Sequence, residues 1–228
     1  MIKMKYGDIN FNLQRNKRKT LSIYVEPNGE INVLAPEKIS EDELNQIIQK
    51  KSYWIYKSLS ELEELNSTSV NREIKNGEGF LYLGKSYKLT IKKNLNQPLS
   101  LRQGRFHLDK DYLDDSKEYF INFYKIKGKK HIQQRVDYFK NKIGVSPNSI
   151  RVIDLQNRWG SCSDKYINFH WKIMMAPMQI IDYIIVHELA HLIETRHNDK
   201  FWEIVESVIA NYKARKDWLR ANGASLNI

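Results

Sequence analysis

The sequence predicts an α+β protein. Residues 1–110 break into short segments of period-two apolar alternation around one long helix, and residues 111–228 are dominated by helical apolar stripes with two short strands between them. This reading divides the chain into a β-rich N-terminal portion with one helix over 1–110 and a second domain over 111–228.

Asp8–Leu13 and Thr20–Val25 alternate polar and apolar residues, and Ile31–Ala35 follows the turn signal Pro27-Asn28-Gly29. The basic run Arg15, Lys17, Arg18, Lys19 lies in the first connection and reads as a solvated hairpin tip. Ser40 and Glu43 form an S-x-x-E capping box, with Ile39 and Leu44 as its hydrophobic staple, so a helix starts at Ser40. Its stripe is Leu44, Ile47, Ile48, Ile55, Leu59 and Leu62, and Trp54 beside it reads as core. Asn66–Asn76 is polar and patternless, a linker.

Phe80–Lys92 predicts a hairpin turning at Gly84-Lys85, and Leu99–Leu108 another turning near Gln103-Gly104. A long helix follows over about 116–143, with Gly128 as a place for a kink or a split. Ile150–Leu155 and Tyr166–Met174 read as strands joined through Asn157–Asp164. Pro177 suits the first turn of a helix running to about Ile193. A final helix begins near Asn198 or Asp199, carries Phe201, Trp202, Val205, Val208, Ile209 and Tyr212, and closes at Gly223. No internal repeat is visible.

The formal charge of +10 favours weak, salt-sensitive attraction to nucleic acid or other acidic partners, although the basic residues are scattered as on a solvated surface. Cys162 is the only cysteine, which excludes an internal disulfide and a thiolate metal cage and fits a cytoplasmic protein. It reads as a packing residue, as do Trp159 and Trp171; His107 and His131 read as structural. No segment has the length and apolarity of a signal peptide or a membrane span.

His187-Glu188-Leu189-Ala190-His191 is an H-E-x-x-H motif inside a segment that independently reads as helix. Residues four apart share a helical face, so both imidazoles reach one metal ion, and the Glu188 carboxylate sits where it can bind a metal-bound water. His197 is the candidate third ligand. On an unbroken helix it would stand about 15 Å from His187 along the axis, so it binds only if the helix ends soon after His191. The polar run Glu194–Asn198 predicts such a break. Three histidines with one open position make a catalytic zinc arrangement. The 187, 191, 197 spacing is that of H-E-x-x-H-x-x-G-x-x-H, but Glu194 replaces the glycine and no methionine follows Met178 to make a Met-turn. Should His197 only cap a helix, Glu203 or Glu206 becomes the third ligand.

Arg158-Trp159-Gly160-Ser161-Cys162-Ser163, Ile167-Asn168, Ala176-Pro177, Asp182-Tyr183, the stretch 186–192, and His197 with Phe201-Trp202 together resemble the YgjP-like metallopeptidase family over about 80 residues. Arg18-Lys19-Thr20-Leu21, the stretch 33–36 and Trp54-Ile55 resemble it more loosely. SprT-like and Wss1-like proteases, some of which act on DNA-bound proteins, look like more distant relatives. The resemblance implies a zincin-like catalytic domain, one zinc ion on His187, His191 and His197, and Glu188 as general base. His170 stands where the family leads one to expect asparagine. The resemblance also implies that a strand beside the active helix pairs with a peptide or protein substrate, and Tyr166–Met174 is the candidate. His170, Arg158 and Tyr212 are the candidates for stabilising an oxyanion. The expected function is zinc-dependent peptide hydrolysis. The competing expectations are a basic nucleic-acid- or protein-binding module with a structural or vestigial zinc site, and a protease tethered to DNA-associated substrates.

Overall fold

The computed structural model describes residues 2–25, 29–66, 72–155, 158–163 and 166–228, and the side chains of those residues except 61–66. The expected turn at Pro27-Asn28, residues 67–71 of the expected linker, and parts of the 157–164 connection lie outside the described residues, as does the Leu62 side chain. The chain groups into two compact units, Met1–Thr68 and Ser69–Ile228.

In the first unit, β1 (Ile2–Tyr6), β2 (Ile9–Asn16), β3 (Ser22–Val25) and β4 (Ile31–Pro36) form one sheet in the order β1-β2-β4-β3. The inward residues Ile9, Phe11, Leu13, Ile31, Val33 and Ala35 pack with Leu44, Ile48 and Ile55 of α1 (Glu41–Asn66). The capping box forms as expected: Ser40 Oγ accepts from the Glu43 N–H at 3.2 Å, and Glu43 Oε2 accepts from the Ser40 N–H at 3.3 Å. Two expectations are corrected. Because β4 lies between β2 and β3, the Arg15–Lys19 stretch opens a crossover rather than a hairpin tip. Arg15 there donates to the Ile39 carbonyl at 2.6 Å. Trp54 is 44% exposed, since its neighbour Ile55 takes the buried position on the helix.

The second unit opens with β5 (Gly79–Tyr82), β6 (Lys85–Lys92), β7 (Leu99–Arg102) and β8 (Arg105–Asp109), ordered β5-β6-β8-β7. Both hairpins turn through two residues of positive φ, Leu83-Gly84 and Gln103-Gly104, which matches the twist of the strands they join. This sheet repeats the topology of the first: hairpin, parallel crossover pairing, hairpin. No sequence repeat accompanies it, because alternation and turn chemistry suffice to build it. The hairpins share the core of the second unit with α2 (Ser116–Ile143), where Phe80 stacks on Phe120 with ring centroids 4.3 Å apart. On sequence grounds these strands are expected in the 1–110 portion.

The helix α2 runs unbroken through Gly128. A Cβ there would fall 3.1 Å from Met174 and 3.2 Å from Val152, so the glycine serves close packing rather than a kink. A three-stranded sheet of β9 (Ser149–Ile153), β10 (Gly160–Ser163) and β11 (Tyr166–His170) follows, ordered β10-β11-β9. Residues Trp171–Met175 form a 3-10 turn rather than extending the strand. Pro177 caps α3 (Met178–Ala190). The expected final helix is two, α4 (Asp199–Val208) and α5 (Tyr212–Asn222). Ile209 leaves helical geometry between them, which lets both Ile209 and Tyr212 reach the core. Among the described residues no helix is long and apolar enough to cross a membrane.

Candidate metal centre

Helix α3 carries His187 and His191 one turn apart on one face and ends at Ala190, with His191 as its C-cap. The next backbone N–H groups turn back onto the helix: Leu192 bonds Leu189 O at 3.1 Å, and Glu194 bonds Ala190 O at 3.0 Å. This turn succeeds without glycine, since Glu194 is not among the residues of positive φ. Its carboxylate instead accepts from the Arg196 N–H at 3.0 Å, and its carbonyl lies 3.1 Å from His191 Nδ1. A proton on that Nδ1 leaves Nε2 as the ligand atom. Asn198 then caps α4 by accepting from the Phe201 N–H at 3.0 Å, which brings His197 back over α3.

The three imidazoles converge. One nitrogen from each of His187, His191 and His197 lies within 4.8 Å of the others, and the His187 and His197 Nε2 atoms are 3.0 Å apart. Nitrogen ligands about 2.0–2.1 Å from one tetrahedral ion stand about 3.3 Å from each other, so the donor set fits a zinc-sized ion. Burial lowers the pKa of all three rings, that of His187 to about 3, which keeps them in the neutral form a metal requires. Glu203 and Glu206 do not join this group and are exposed.

Beneath the imidazoles lies an aromatic wall. The Phe201 ring sits 4.9, 4.6 and 4.7 Å from His187, His191 and His197. Trp202 stacks on His197 at 5.7 Å and on Tyr212 at 5.1 Å, and Lys216 Nζ lies 4.7 Å from its centroid. In the sequence, Phe201 and Trp202 appear only as part of an apolar stripe. Their spacing of four and five from His197 is the signal that places them under the ligands.

Glu188 is 6% exposed, and burial pushes its pKa up to about 8 against the opposing charge of Arg158. Gly160 at the start of β10 presses on it: a Cβ there would fall 2.5 Å from Glu188 Oε1. The strand expected to meet substrate is corrected here. Strand β11 is central, paired with β9 on one side and β10 on the other, so its edges are filled. The edge beside α3 belongs to β10. Of the oxyanion candidates, His170 is committed elsewhere: Nδ1 accepts from the Lys172 N–H at 3.1 Å, and Nε2 lies 3.4 Å from Asp154.

A buried glutamate thus lies beside three converging histidines drawn from one helix face and a returning loop. The family model for the YgjP-like metallopeptidase domain matches residues 19–222, and the chain belongs to that family. Among solved structures, the metallopeptidase zymogen abylysin of Pyrococcus abyssi matches with a TM-score of 0.38 at 20% identity, covering 41% of this chain and 96% of that one. No curated protein matches.

Proposed function

We propose that this metallopeptidase holds one zinc ion on His187, His191 and His197 and hydrolyses peptide bonds with Glu188 as general base. The observation that carries this reading is the convergence of three imidazoles from two separate segments on one point, with His197 exposed. Bound zinc supplies Lewis acidity for water activation and carbonyl polarisation. Glu188 takes a proton from the attacking water and gives it to the leaving amine. The Glu194 carbonyl fixes the His191 tautomer, and Phe201 and Trp202 hold the rings in place.

The substrate backbone pairs along the outer edge of β10. The His170 N–H bonds the Trp159 carbonyl at 2.9 Å, so by antiparallel alternation Gly160 turns its own N–H and C=O to that edge. Elemental analysis tests the metal site: about one zinc per chain in wild type and much less in His197→Ala is expected. Glu188→Gln is expected to keep the zinc and lose peptide hydrolysis by at least about a hundredfold. Wild-type protein that takes up no zinc, or a Glu188→Gln variant with unchanged turnover, overturns the assignment.

A further inference from the structure

Residues 1–68 carry ten basic and ten acidic side chains, so the whole +10 of the chain falls on residues 69–228. Part of that excess is concentrated on the outer face of the β5–β8 sheet. Phe106 and Leu108 point into the core, so Arg105, His107 and Asp109 point outward. The register aligns Lys88, Arg105 and Arg102 as one row across three adjacent strands. The next row is Thr90, His107 and Ser100, and Lys92 with Asp109 begins the third.

Three like charges directly opposite one another in a sheet are destabilising. All four cations are exposed, and among the described residues none of them forms an ion pair. The carboxylate of this face, Asp109, is turned to the Leu95 and Asp111 N–H groups at 2.5 and 3.1 Å. In the middle sits His107, only 6% exposed, its ring packed beneath this surface beside the Arg102 backbone. Beside it a cavity of about 220 Å³ opens, lined by Leu95, Asn96, Gln97, Ser100 and Arg102.

We propose that this face binds the phosphate backbone of duplex nucleic acid. Two arginine forks, two lysines and the Ser100 and Thr90 hydroxyls are donors suited to phosphate oxygens. The row spans about 10 Å, and successive rows lie about 7 Å apart, a grid suited to the dense charge of a duplex. The face exposes no aromatic ring for stacking unpaired bases, His107 being buried. None of the exposed large apolar side chains lies on these strands, so nothing is placed to insert into a lipid surface. An extended acidic peptide would add to a sheet edge, whereas this is a face.

The test is fluorescence anisotropy of a labelled random-sequence DNA duplex with the full chain across a salt series. The triple variant Lys88→Gln, Arg102→Gln, Arg105→Gln is expected to weaken binding at least about tenfold and to flatten the log–log salt slope by about 3. Lys127→Gln, Lys129→Gln, Lys130→Gln removes the same charge from exposed positions of α2 and is expected to change affinity by no more than about twofold. Removing cross-strand repulsion should leave the unfolding temperature of the first variant equal or higher. Should that variant unfold early instead, Arg102→Lys with Arg105→Lys takes its place, with a fewfold loss at an unchanged salt slope. Equal weakening by both triple variants, absence of duplex binding at low salt, or displacement by polyglutamate as effective as by unlabelled duplex overturns the proposal. Peptide hydrolysis is expected to be unchanged in the face variant, so this result and the zinc assignment fail separately.

Discussion

At the scale of single residues, Gly160 and His170 show how one position sets the chemistry of another. Gly160 has no side chain because the Glu188 carboxylate occupies that space. Gly160→Ala is therefore expected to displace the carboxylate, lowering peptide hydrolysis by at least about a hundredfold at unchanged metal content. Full activity in that variant would show that Glu188 can relax away without cost. His170 stands where the family pattern leads one to expect asparagine, yet it does an asparagine's work, accepting the Lys172 N–H at the start of the 3-10 turn. The imidazole adds a pH dependence. Burial holds its pKa at about 4, below the 6.5 of an exposed histidine. The folded chain thus binds fewer protons than the unfolded one between these values. The stability tied to the neutral ring is complete above pH 6.5 and is lost as pH falls towards 4. His170→Asn is expected to flatten the fall of unfolding temperature across that window, measured by thermal melts; an unchanged acid limb would place the loss elsewhere.

At the scale of elements, the parts legible in the sequence were those with local physical signals. The capping box at Ser40, the hairpin turns and the apolar run of α3 each follow from a few neighbouring residues. The helix break after His191 was legible as polarity, but its mechanism was not, because it rests on the Glu194 carboxylate reaching the Arg196 N–H. Pairing order was illegible: alternation marks a strand without telling which neighbour it takes. Hence the pattern of Tyr166–Met174 does not tell that β11 lies between two strands, nor that of Arg15–Lys19 that it opens a crossover. The split between α4 and α5 was hidden for a related reason, as Ile209 keeps the apolar stripe while leaving helical geometry. The loop and α4 act together on the third ligand. Asn198→Ala removes the cap and is expected to cost about 1 kcal/mol of stability. Trp202→Ala removes the ring that His197 stacks on, and chelator competition should then report metal affinity lowered by about tenfold or more. Trp202→Phe, which keeps a stacking face, should lie between. Equal affinity in all three proteins would mean that the imidazole needs no support from the wall.

At the scale of the whole molecule, the question is where the peptidase begins. Among the described residues one hydrophobic cluster draws on β1–β4 and α1, and another on β5 onward. The second cluster cannot start at residue 111. Phe106 lies 5.1 Å from both Phe120 and Phe123, and the Tyr124 hydroxyl donates to the Leu81 carbonyl at 2.7 Å. Removing β5–β8 would leave those rings of α2 exposed and that hydroxyl without its acceptor. Arg72 sets the start still earlier. Its guanidinium donates to the carbonyls of Gly79 at 2.9 Å, Ser225 at 3.2 Å and Asn227 at 2.5 Å, tying the entry of the unit to the chain's last residues. A chain of residues 69–228 is therefore expected to melt cooperatively, to take up metal like the full chain and to hydrolyse a short peptide within about twofold of it. A chain of residues 111–228 is expected to lack a cooperative transition, and 69–228 carrying Arg72→Ala to melt at lower temperature. Should 111–228 fold and hold metal, the β5–β8 sheet would be dispensable to the site, and the boundary read from sequence would be the functional one.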